Sequence, residues 1–134
     1  MSSSNFKYGV NGTYKGCFFR SLYELSFLKH LEAQGNDVKD IVYEGVRLQY
    51  DFLEKQRTYV VDFYVPNTKT LYEVKRSTDI DNLSENNLAK FVAAKDHCSQ
   101  RGLQFVVVTE RDFKVYKQKD FEHAVDVVFN LGSE

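Results

Sequence analysis

The stretch Thr58–Lys75 constrains the fold more than any other part of the chain. It reads TYVVDFYV, then PNTK, then TLYEVK. Two runs rich in β-branched and aromatic residues around a proline-led turn predict an antiparallel hairpin. Side chains alternate faces along a strand, so Val60, Asp62 and Tyr64 share one face of the first run. Leu71, Glu73 and Lys75 share one face of the second. With Asn67-Thr68 as a two-residue loop, Asp62 falls directly opposite Glu73, where Cβ atoms stand roughly 5 Å apart. The pattern thus predicts two carboxylates and a lysine in one cluster.

Two carboxylates this close repel each other and call for a cation. An all-oxygen donor set suits Mg²⁺, or Mn²⁺ in its place, better than zinc. Such an ion polarises a phosphodiester and helps to generate hydroxide from bound water. Lys75 points to the same spot, where it would orient the attacking water or stabilise charge on the phosphate. The alternative is a cross-strand charge network on a solvated sheet face. Short motifs such as EVK recur by chance. Asp62 is harder to assign to such a network, because an acid is disfavoured in a run like TYVVDFYV.

The chain as a whole has 134 residues, is 43% hydrophobic and has a single proline, which suits one domain. Residues 1–16 read as a flexible arm or irregular strand, and 17–134 as the domain. In the arm, Lys7, Tyr8, Tyr14 and Lys15 are candidate contacts to DNA or to a second copy. Ser21 opens a helix expected to reach Gln34, where Gly35-Asn36 stops it. Ile41 to about Phe52 reads as extended. A polar loop follows Lys75. A second helix is expected from about Ser84 to Arg101, with Gly102 as its stop and Leu88, Phe91, Val92 and Cys98 on its apolar face. The run Leu103–Val108 suits a strand buried on both faces, parallel to its neighbour. A last amphipathic helix is expected over about Asp120–Leu131. The sum is an α/β chain: a mixed four-stranded sheet flanked by helices, with a C-terminal helix added.

Charge and cysteine usage narrow the class. The net charge is −1 and the pI about 6.3, which is not the footprint of a strongly basic nucleic-acid binder. DNA would be held by a local basic patch, by metal ions, or by both. Cys17 and Cys98 form no spaced framework, which points to a reduced, intracellular, cytoplasmic setting. The N-terminus has no apolar core of a signal peptide, and no run is long enough to span a membrane. There is no GxGxxG, phosphate-binding loop or nucleophile elbow, so no nucleotide cofactor is expected.

Other candidate site residues carry two readings each. Glu24 stands three residues after Ser21, which suits a capping box. It also borders the apolar face of Leu28 and Leu31, where a carboxylate would point toward the sheet and a metal. Arg20 and Ser21 at the helix start suit a phosphate, and Arg20 equally suits solvent. Lys15, Lys90 and Lys95 are candidate DNA-backbone contacts, and for the two helical lysines a solvated face is the plainer role. His30, His97 and His123 are scattered without ligand spacing.

Three segments together resemble a known family: FRSLYE (Phe19–Glu24), VDF (Val61–Phe63) and YEVK (Tyr72–Lys75). The pattern resembles the PD-(D/E)xK, or restriction-endonuclease-like, nuclease superfamily. Its helix start is similar to those of phage junction-resolving endonuclease I, phage head-completion nucleases, TnsA and phage homing endonucleases. The KDHC (Lys95–Cys98) and FVVVTE (Phe105–Glu110) segments are similar to the later helix and strand of these proteins. The resemblance covers roughly residues 14–112. It implies an αβββαβ core, with Asp62 and Glu73 as metal-binding acids, Lys75 as the catalytic lysine and Glu24 as the helix-borne acid. It also implies the Val74 carbonyl as a further ligand, and a Mg²⁺-dependent DNA endonuclease that junction-resolving, homing or nicking chemistry would suit. A homodimer would place two active sites on two strands. Val61 stands where the motif has proline, which weakens the match without touching the chemistry. The rival reading is a non-catalytic or DNA-end-binding assembly module of a phage or transposition complex.

Overall fold

Thr58–Lys75 forms the expected antiparallel hairpin, but with a longer turn. Tyr64 faces Leu71 and Val65 faces Thr70, the register a two-residue loop implies. The pairing ends one step earlier than expected: Pro66–Thr68 makes a 3-10 turn and Lys69 closes it in the left-handed region. The structure is a computed structural model and describes residues 10–130. Lys7, Tyr8 and Leu131 lie outside these residues.

The chain divides into two compact units. One runs to Ile41 and resumes at Glu110; the other is Val42–Thr109. In the first, strands β1 (Gly12–Tyr14) and β2 (Cys17–Phe19) form a hairpin, and helix α1 spans Leu22–Ala33. Gly12–Tyr14 thus takes the strand alternative of the two readings given for residues 1–16. The last helix expected over Asp120–Leu131 is reduced to the 3-10 turn Gln118–Phe121. Beyond that turn the chain forms a strand, β7 (Val127–Phe129). That strand pairs antiparallel with β1, Gly12 facing Phe129. VVF is β-branched and aromatic, and Phe129 meets Phe19 and Phe121 edge-on at 5.8 and 6.3 Å. Aromatic packing in this way overrides the weak helical periodicity.

The second unit holds the mixed sheet. Among the described residues its strand order is β3 (Val42–Phe52), β4 (Lys55–Val65), β5 (Thr70–Val74), β6 (Gln104–Val108). β5 and β6 are parallel, and the other pairs antiparallel. With α1 counted in chain order, the elements give the αβββαβ sequence. β4 begins at Lys55, three residues earlier than expected, because Leu53 and Glu54 both adopt positive φ in a tight two-residue turn. Asn-Gly is the usual signal for that turn, and Leu-Glu hides it. β6 lies at the sheet edge and most of its residues are only half-buried, so its apolar run overstated its burial.

Between β5 and β6 the polar loop contains a short helix, α2 (Ser77–Asp81), and then α3 (Glu85–Arg101). The Ser84 hydroxyl accepts from Asn87 N–H at the start of α3, and Gly102, φ +69, ends it. Only glycine adopts that conformation readily. α3 buries Phe91, Ala94 and Cys98 against Leu48, Tyr50, Tyr59, Val61 and Leu71. Leu88 and Val92, expected on the same face, are instead 52% and 59% exposed. No helix among the described residues is long and apolar enough to cross a membrane.

Candidate active site

β4 and β5 part company at the acids. Their backbone ladder reaches Phe63 facing Tyr72, and the next pair in that register is Asp62 and Glu73. There carboxylate oxygens take over as acceptors. The Asp62 N–H donates to Glu73 Oε1 at 3.3 Å, and the Val74 N–H donates to Asp62 Oδ2 at 2.8 Å. Each acid is thus tied to the other's strand, and the pair is locked without full β pairing. A bonded backbone N–H stabilises the charged form of a carboxylate.

On its other edge β4 carries a second irregularity at the same residue. Tyr43 faces Phe63 and Val46 faces Val61, so Glu44 and Gly45 together oppose Asp62. This is a β-bulge, which bends a strand, sharpens its twist and re-aims neighbouring side chains. Glu44 sits at φ +52, an uncommon conformation for a residue with a side chain. A Cβ added at Gly45 would come within 2.4 Å of Val42 Cγ1. A glycine inside a strand pattern is a bulge signal, so Gly45 offered a clue that the periodicity alone passes over.

Lys75 closes the cluster. Its N–H donates to the Val108 carbonyl at 2.9 Å, which carries the β5–β6 pairing one residue past β5. Its Nζ lies 3.8 Å from Glu73 Oε2, and the lysine side chain is half-buried. Glu73 itself is 7% exposed. Two acids and a lysine share one place, as the hairpin register implies.

Tyr59 is a neighbour the sequence does not disclose. Its side chain is buried, and its hydroxyl has no partner at hydrogen-bonding geometry. Burial first, and then the Glu73 and Asp62 carboxylates, push its pKa far above the usual tyrosine value. The Lys90 ammonium stands 5.6 Å from the centre of the Tyr59 ring. Lys90 is thus held against the Tyr59 ring, whereas Lys95 is an exposed position on α3.

The remaining candidates belong to the first unit. The Ser21 hydroxyl accepts from Glu24 N–H at 3.1 Å, and Glu24 Oε1 accepts from Arg20 N–H at 2.8 Å. Glu24 is 5% exposed. This is capping-box chemistry, with the carboxylate reaching one residue further back than usual. Arg20 is exposed. Lys15, in the β1–β2 turn, pairs with Glu32 beside Tyr14. Among the described residues no three His, Cys, Asp or Glu side chains gather into a metal-binding group. The acids that do meet are Asp62 and Glu73. Two carboxylates fit Mg²⁺, which commonly takes one or two and keeps several waters.

A family model described as TnsA-like endonuclease N terminal matches residues 35–110. That span is more than half the chain and includes the hairpin, the acid pair and α3. No curated protein and no solved structure matches the chain.

Proposed function

The chain belongs to the TnsA-like endonuclease N-terminal family, and on that premise we propose that it is a metal-dependent endonuclease hydrolysing phosphodiester bonds in DNA. The observation that carries this reading is the reciprocal locking of Asp62 and Glu73, with Lys75 3.8 Å from Glu73. Like charges held side by side, one buried and one half-buried, serve a fold poorly and a cation well. Asp62, Glu73 and the Val74 carbonyl would hold Mg²⁺, with Mn²⁺ as substitute. Bound there, the ion would supply Lewis-acid polarisation of the phosphate and a water of lowered pKa.

The chain's own groups do the rest. Lys75 places a fixed positive charge where the phosphate gains negative charge, and orients the attacking water. Water adds to phosphorus and the bond to the 3′ oxygen breaks, leaving a 5′-phosphate and a 3′-hydroxyl. Lys90, and with it Lys95, Lys15 and Arg20, would contact the DNA backbone, which a net charge of −1 requires to be local; Ser21 is buried and its hydroxyl caps α1. The resemblance alone implies Glu24 as a helix-borne acid; its hydrogen bonds with the Arg20 N–H and with Ser21 serve the start of α1. Two copies would cut two strands. Both described cysteines are free thiols, which suits a cytoplasmic enzyme.

The test is cleavage of supercoiled plasmid and of a synthetic four-way junction with Mg²⁺ or Mn²⁺, wild type beside Asp62→Ala and Lys75→Ala. Metal-dependent cutting that both substitutions abolish is the expected result, and the better-cut DNA identifies the substrate class. Cutting that survives both substitutions would place the chemistry elsewhere. A folded wild type that cuts neither DNA would instead favour a DNA-end-binding assembly module.

A further inference from the structure

Tyr59 lies on β4, three residues before Asp62, and is 3% exposed. Its ring is held on several sides. Leu48 faces it across β3–β4, Phe105 meets it edge-on at 6.5 Å, and Lys90 approaches its face. A phenol ring confined in this way has little freedom to swing its hydroxyl elsewhere. Yet that hydroxyl has no partner at hydrogen-bonding geometry, and an unpaired buried hydroxyl is unfavourable.

The charged groups that bear on it are the Glu73 and Asp62 carboxylates, Glu73 most strongly. An ionised carboxylate only accepts and a neutral phenol can donate, so the chemical match is donation from Tyr59. Glu73 Oε1 is engaged by the Asp62 N–H and Oε2 faces Lys75. The terminal torsion of a glutamate is broad, so the Glu73 carboxylate is free to turn toward a donor beside it.

We infer that Tyr59 is a positioning residue for Glu73, its hydroxyl donating to the carboxylate and fixing its orientation when a divalent cation occupies the acid pair. This rests on the reading of Asp62 and Glu73 as metal-binding acids. Partners that orient metal-binding carboxylates from behind are worth a factor of about 10–100 in metal affinity.

Tyr59→Phe removes the hydroxyl and keeps the ring. Mn²⁺ binding to the DNA-free protein, followed by titration calorimetry, is expected to weaken by about ten-fold or more. The melting temperature without metal stays the same or rises, since the deleted hydroxyl has no partner there. Cleavage needs correspondingly more Mn²⁺ and recovers when Mn²⁺ is raised to saturation. A variant with wild-type Mn²⁺ affinity overturns the role of Tyr59, while the nuclease reading stands if the wild type cuts DNA and Asp62→Ala does not. A variant that melts well below wild type, or that stays slow at saturating Mn²⁺, makes the hydroxyl structural and also overturns it. A wild type that neither binds Mn²⁺ nor cuts removes the metal site itself, and this inference with it.

Discussion

Glu24 and Glu73 are both nearly buried glutamates, 5% and 7% exposed, yet they are held by different means. Glu24 accepts from the backbone at its own helix start, four residues upstream. Glu73 accepts from a residue eleven positions away, whose carboxylate in turn accepts from the residue after Glu73. The first arrangement stabilises a helix end. The second brings a like charge next to Glu73 and a lysine after it, which a fold gains little from. Burial of an acid by itself therefore says little about catalysis; what matters is whether its partners serve the backbone or gather further charge.

Substitutions that separate the two acids test this contrast most strongly. Asp62→Asn keeps the shape and is expected to lower the cleavage rate by at least ~10²-fold, the lower range for a positioned catalytic group. The same substitution relieves repulsion with Glu73, so the metal-free protein should melt no lower than wild type. Plasmid cleavage and thermal melts on one preparation check both halves. A large fall in melting temperature with activity intact would make Asp62 as structural as Glu24.

A smaller effect is expected at the helix start. Ser21→Ala removes the hydroxyl that accepts from Glu24 N–H, which should destabilise the protein by ~1 kcal/mol in urea unfolding. Glu24→Gln keeps one accepting oxygen and should be milder. A Glu24→Gln variant that folds normally but loses cleavage as completely as Asp62→Asn would break the comparison, and would put the glutamate in the active site.

The smallest effect is expected at Cys17. Burial, with the nearby Glu24 carboxylate second, pushes its thiol up to about 12. A thiol so shifted stays protonated and unreactive at pH 8. Native protein should therefore resist iodoacetamide at Cys17, with labelling read by mass spectrometry, and react only once unfolded. Rapid native labelling would mean that the α1 end of the first unit opens readily, and that the Glu24 cap is weaker than its geometry implies.

Much of the acid cluster was legible in advance. Alternation and a proline-led turn set the Asp62–Glu73 register, and a loop of different length left it intact, because it kept the same symmetric centre. Helix α3 was legible too, from its Ser84 cap to its Gly102 stop. Its buried face was read less well. Leu88 and Val92 look like core by type, but the sheet takes up Phe91, Ala94 and Cys98 instead. The Leu53-Glu54 turn carried no usual turn residues, and β7 was hidden in a helical periodicity.

By itself the sequence determined the features that depend on near neighbours: the hairpin, the shared face of Glu73 and Lys75, and the ends of the long helix. These follow from torsional preference, side-chain alternation and capping, which act within a few residues. The tertiary structure alone decided that β1 pairs with a strand at the far end of the chain, with Gly12 facing Phe129. It alone set a bulge against Asp62 and buried the Tyr59 hydroxyl without a partner at hydrogen-bonding geometry. Those features depend on which surfaces exclude water from each other, and such partners are chosen by packing across the fold, with no local pattern to announce them.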